Sequence, residues 1–159
     1  KSVKSCDVLF EDHYYTHPIQ LDIIGSLFTN AFKGYSFPIQ LQTACEQITK
    51  HINTKVSSYQ MQDKIKKREL TNNFVTFKDI VNMLKDCDLT CCYCRGPVFI
   101  LYKNDKEMFQ WTLDRLDNKY GHNKGNVVIS CLSCNLKRKT MHHGRYQFTK
   151  QLQITKNET

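Results

Sequence analysis

The 159-residue sequence holds no apolar run long enough to cross a bilayer; the nearest approach, LDIIGSLF (21–28), is short and carries Asp22. No signal peptide and no N-x-S/T-rich surface marks a secreted chain, and neither repeats nor low-complexity tracts are visible. One sign of charge is also missing from a long stretch. Between Asn118 and Asn157 there is no Asp or Glu, yet Lys119, Lys124, Lys137, Arg138, Lys139, Arg145, Lys150 and Lys156 all fall there. A solvated face usually mixes signs, so this one-signed run points to phosphate contact. The net charge of +8 agrees but is weak by itself. Lys1 rather than Met opens the sequence, so the reading allows for a longer parent protein.

What is present suits a folded protein: 40% hydrophobic and 11% aromatic residues. Eight cysteines occur. Two pairs have C-x-x-C spacing, Cys91/Cys94 in TCCYCRG and Cys131/Cys134 in SCLSCNL, with 36 residues between them. Such a knuckle sets two thiolates on one turn, and two knuckles complete a tetrahedral zinc shell. A disulfide framework wants a small secreted chain, and a redox C-x-x-C wants one exposed motif beside a βαβ unit. Structural Zn2+ is therefore expected on Cys91, Cys94, Cys131 and Cys134, with Cys92 able to replace Cys91. Cys6, Cys45 and Cys87 read as reduced, buried thiols, which places the protein in a reducing intracellular compartment.

Periodicity predicts a helical first half. PIQLDIIGSLFTNAF (18–32), PIQLQTACEQITKHINTKV (38–56) and SSYQMQDKIKKREL (57–70) read as three helices, the last with a basic cluster at Lys64, Lys66, Lys67 and Arg68. TFKDIVNMLKDC (76–87) follows, with Thr76 and Asp79 spaced as a capping box. The soft boundary near 71–75 divides a helical region, 1–75, from a second module, 76–159. The first serves as scaffold, partner surface or accessory DNA contact. His13, His17 and His51 belong to it and receive no role. Past Cys94 the pattern turns to strands: PVFILY (97–102), MFQWTLDRL (108–116) and NVVIS (126–130), with NLKRKTM a basic helix after the second knuckle. Trp111 and Leu113 read as core beneath the hairpin. The fold class is α+β.

The compound pattern in residues 88–145 resembles the zinc-bound HNH (ββα-metal) endonucleases, the family of phage recombination endonucleases and many homing and restriction nucleases. The resemblance implies a zinc-stapled ββα-metal module that hydrolyses phosphodiester bonds in duplex or branched DNA with Mg2+ or Mn2+. Its first strand ends in an acid, matched by Asp114 of LDRLDN. Its middle Asn, which braces the loop, matches Asn126 of KGNVV. Its last metal ligand matches Asn135 of CLSCN, nine residues on. Asp114 and Asn135 would then supply the hard oxygen ligands such an ion prefers. The usual base histidine is absent, since the two positions where it sits hold Arg115 and Asp117. Arg115 could grip a phosphate but not act as a base. His122 and Asp117 both stand as candidates for the base, His122 first. Lys119, Lys124, Lys137, Arg138, Lys139 and Arg145 are expected to contact DNA, as are His142 and His143 beyond the basic helix. The other reading is a module that kept this frame, lost its base, and binds DNA without cutting it.

Overall fold

The computed structural model describes residues 10–31, 38–68 and 73–152. Cys6, Lys156 and residues 69–72 lie outside them. A 3-10 turn at Asp12–Tyr15 leads into α1 (His17–Thr29), which starts on Pro18 and stops where Asn30 turns left-handed at φ 56°. Its buried face carries Gln20, Ile23, Ile24 and Leu27.

The two helices expected over 38–70 are one. α2 runs Ile39–Ile65 without interruption, 27 residues and about 40 Å long. The Ser57–Ser58 pair does not break it, because the inward stripe continues through it: Ala44, Cys45, Ile48, Ile52 and then Tyr59 and Asp63. Lys67 ends it with a left-handed φ of 50°. The short helix α3 (Phe77–Asp86) has the expected capping box: the Asp79 amide donates to Thr76 Oγ1, and the Thr76 amide donates to Asp79 Oδ2.

β1 (Trp111–Arg115) and β2 (Val127–Cys131) form an antiparallel hairpin, paired from Trp111↔Cys131 to Arg115↔Val127. α4 (Leu132–Arg138) starts directly at the end of β2, and α5 (His143–Gln151) follows. The strand expected at 97–102 does not form. Its Val98, Ile100 and Leu101 side chains are buried as a strand's would be, but only single bridges occur, Thr90↔Pro97 and Phe99↔Gln110. The buried side chain of Gln20 takes the place of a neighbouring strand. Its Oε1 accepts from the Ile100 and Leu101 amides at 2.8 and 3.1 Å, and its Nε2 donates to the Leu101 carbonyl at 2.9 Å.

One hydrophobic cluster includes residues from both sides of the expected 75/76 division, from Ile23 and Ile48 to Trp111 and Ile129. Trp111 and Leu113 are core residues, as expected. Polar ties cross the same line. Lys55 Nζ donates to the Trp111 carbonyl and lies 4.5 Å over the Trp111 ring. Phe74 bridges Asn123. Among the described residues, no helix is long and apolar enough to cross a membrane.

Candidate metal centre and nucleic-acid interface

The two knuckles lie far apart in sequence and close together in space. Thr90 pairs with Pro97 to pinch the first into a turn, and the second straddles the junction of β2 and α4. The sulfurs of Cys91, Cys94, Cys131 and Cys134 all lie within 4.8 Å of one another, and Cys94 Sγ is 4.0 Å from Cys131 Sγ. A tetrahedral Zn–S shell with bonds near 2.3 Å has S···S edges of about 3.8 Å, so the four thiols fit the ion. Cys91, not Cys92, completes the set. Hydrogen bonds from the Cys131 and Cys92 thiols lower the pKa of the Cys91 thiol, the bond to Cys91 raises that of Cys131, and burial raises that of Cys134 to about 11. The Cys134 amide donates to Cys131 Sγ, the outer-shell bond that orients a ligating sulfur. α5 closes over the first knuckle: Gln147 and Gln151 donate to the Cys92 carbonyl, and Tyr146 meets Tyr93 edge-on at 5.1 Å. Cys45 is fully buried, and burial pushes its thiol up to about 11.

At the opposite end of the hairpin, Asn126 braces the loop as expected. Its Oδ1 accepts from the Asp117 amide at 3.0 Å, and its Nδ2 donates to the Asp117 and Gly121 carbonyls, both at 3.0 Å. Gly125 supplies the φ of 80° that turns the chain into β2.

Asp114 is buried, and its carboxylate is already partnered. Arg138 grips it from two sides, Nε to Oδ2 at 2.6 Å and Nη2 to Oδ1 at 2.8 Å, and the Tyr93 hydroxyl donates to Oδ2 at 2.7 Å. Burial, then the bond to Asp114, pushes the Tyr93 phenol up, so it stays a donor. A divalent ion expected on Asp114 and Asn135 would have to enter against this guanidinium, so the pair as arranged does not fit it. Asn135 itself donates to Thr112 Oγ1 and to the Leu113 carbonyl. Arg138 was expected to face DNA and does not. It is 3% exposed, and it spends its remaining donors on the Met141 and Arg115 carbonyls and on Asn118 Oδ1.

His122 folds inward rather than over the strand end. It is 3% exposed, stacked at 4.4 Å on Tyr59, with Nδ1 3.0 Å from Asp63 Oδ2. Burial lowers its pKa in spite of Asp63, so the ring is neutral and fixed. It is a tie between α2 and the loop, not a base exposed to water. Arg115 Nη1 donates to the Asn118 and Tyr120 carbonyls, and Arg68 at the end of α2 donates to the same Asn118 carbonyl. Asp117 is exposed, with Oδ1 accepting from the Lys119 amide.

Beside this strand end lies an open cavity of about 510 Å3, lined by Asp117, Asn118, Lys119, Arg138, His142 and His143 among others. Lys119, Lys124, Lys137, Lys139 and Arg145 are exposed, with Lys124 paired to Asp79 at 3.1 Å. Sequence reasoning missed Asp63, Tyr93 and Arg138 as the partners that spend the candidate site residues. Asp63 had one signal: an acid sitting on the apolar stripe of α2. No family model matches the chain, and no curated protein or solved structure matches it either.

Proposed function

We propose that the protein is a DNA endonuclease of the zinc-bearing HNH type, hydrolysing phosphodiester bonds beside the zinc-stapled hairpin. The observation that supports this is the open cavity at the end of β1. Asp117, Lys119, His142 and His143 line it, as does Arg138, the partner of the Asp114 that the resemblance matches to the family's acid. Lys119, Lys137, Lys139 and Arg145 draw in the backbone, whose condensed counterions they release. Zinc plays no part in the chemistry, since four sulfurs fill its shell. Asp114 is spent on Arg138, so Asp117 is the carboxylate left open to a hydrated Mg2+ or Mn2+. Such an ion would offset charge on the phosphorane.

One observation favours the second reading, a module that binds DNA without cutting it. The Arg138 guanidinium has an acceptor for each of its three nitrogens, which is the mark of a structural pillar. Nicking of supercoiled plasmid with Mg2+ or Mn2+, against EDTA and against Asp117→Asn, separates the two. Nicking that needs the ion and Asp117 supports the endonuclease. Binding without nicking under every divalent ion gives the second reading.

A further inference from the structure

The cutting reaction needs a group to take a proton from the attacking water, and the sequence leaves that group open. The chain has six histidines. His122 is buried on Asp63, His51 is bonded to the Tyr102 hydroxyl at 2.9 Å, and His17 meets the Leu89 carbonyl at 3.2 Å. His13 pairs with Glu11 near the amino-terminal turn. Only His142 and His143 line the cavity.

The two are not equivalent. His142 caps α5, its Nδ1 accepting from the Gly144 amide at 3.2 Å. An Nδ1 that accepts leaves the proton of the neutral ring on Nε2, so His142 can only donate from its other nitrogen. His143 begins α5 with its ring 5.0 Å from that of His142, and among the described residues no hydrogen bond or ion pair engages its side chain. A base needs a free lone pair within reach of water.

We infer that His143 is the general base of the nuclease and that His142 donates a hydrogen bond to the phosphoryl oxygen beside it. This rests on the endonuclease reading. The water oxygen forms the new P–O bond as its proton passes to His143. The P–O bond to the sugar breaks with its electron pair, and the departing alkoxide takes a proton from solvent. Nothing is oxidised or reduced.

The test is the rate of plasmid nicking by the full chain with Mn2+, with DNA affinity and zinc content measured on each variant. His143→Ala should slow nicking by roughly 100-fold with affinity kept, and added imidazole should restore part of the rate. His143→Gln, which keeps the size and polarity at the start of α5, should be equally slow. His142→Gln keeps a donor and should lose far less. Parent-like nicking by His143→Ala overturns the assignment while leaving the endonuclease intact. So does a slow variant that imidazole fails to rescue and that has lost DNA affinity, since that is a structural defect. A parent that binds DNA and never nicks overturns the assignment and the endonuclease together.

Discussion

The hairpin β1–β2 is held at its two ends by different physics. At the Trp111↔Cys131 end, four sulfurs gather from two knuckles, and no carboxylate takes part. At the Arg115↔Val127 end, the ties are polar and buried: Asp114 with Arg138 and Tyr93, His122 with Asp63, and Asn126 across its own loop. The sulfur end could hold a metal ion. The polar end answers to protons and to the removal of either partner. The candidate site residues Asp114, His122 and Asn126 all sit at the polar end.

Removing the metal breaks the comparison most severely. Structural zinc supplies on the order of 10 kcal/mol in small sites, so Cys131→Ser should lose the ion and the cooperative folding of the knuckle, α4 and α5. Elemental analysis and amide exchange read both effects. Cys45→Ser should keep its zinc, since Cys45 lies in the α2 core. Purified protein with no tightly bound metal would sink the zinc assignment.

The polar end is expected to break at smaller cost. Asp114→Ala leaves the Arg138 guanidinium buried without its carboxylate, and losing one partner of such a pair costs about 3–5 kcal/mol. Urea unfolding should show this with zinc content unchanged. The double change Asp114→Leu with Arg138→Met should recover most of the loss, because no unpaired charge remains. A single Asp114→Ala variant within about 1 kcal/mol of the parent would mean that the pair is not a pillar.

Acid acts near both ends, since His51 packs on Trp111 and His122 on Asp63. Burial, then Lys55, lowers the His51 pKa from 6.5 to about 4, and burial lowers His122 as well. A histidine depressed in the folded state is held neutral there, so the unfolded chain binds more protons as the pH falls. The His51 contribution to stability is therefore complete above pH 6.5 and is lost as pH falls from 6.5 toward about 4. His51→Gln should flatten that part of the profile, measured by urea midpoints. An unchanged slope would show that His51 is not the group that titrates.

How much of this was legible follows from how local each signal is. The four-cysteine cluster could be found because each knuckle is a four-residue pattern, and the Thr76–Asp79 box for the same reason. Asn126 bracing its loop is also a short-range event. The partners of the polar end were not legible. Asp63 meets His122 from 59 residues away, and Arg138 meets Asp114 from 24. Nothing in a basic KRK run marks its middle residue as the one turned inward. PVFILY has the composition of a strand, and Gln20, 80 residues upstream of Ile100, satisfies its backbone instead. Burial could be read from residue type there; the hydrogen-bond partner could not.

The inward turn of Arg138 sharpens the last and smallest expectation. Lys137 and Lys139 flank it in sequence and are exposed, so the outward-facing charge of α4 and its end belongs to them alone. Each phosphate contact contributes about 0.9 to the slope of log affinity against log salt. Replacing both lysines with Ala should reduce that slope by about 1.8 and weaken binding to unrelated duplexes alike. Stability should change little, because neither side chain is buried. Arg138→Leu is the contrasting variant: its main effect should be on the urea midpoint, with the salt slope near that of the parent. If Arg138→Leu flattened the slope instead while the lysine pair left it unchanged, the guanidinium would have to leave Asp114 to meet DNA. The polar end would then be a moving part rather than a fixed one.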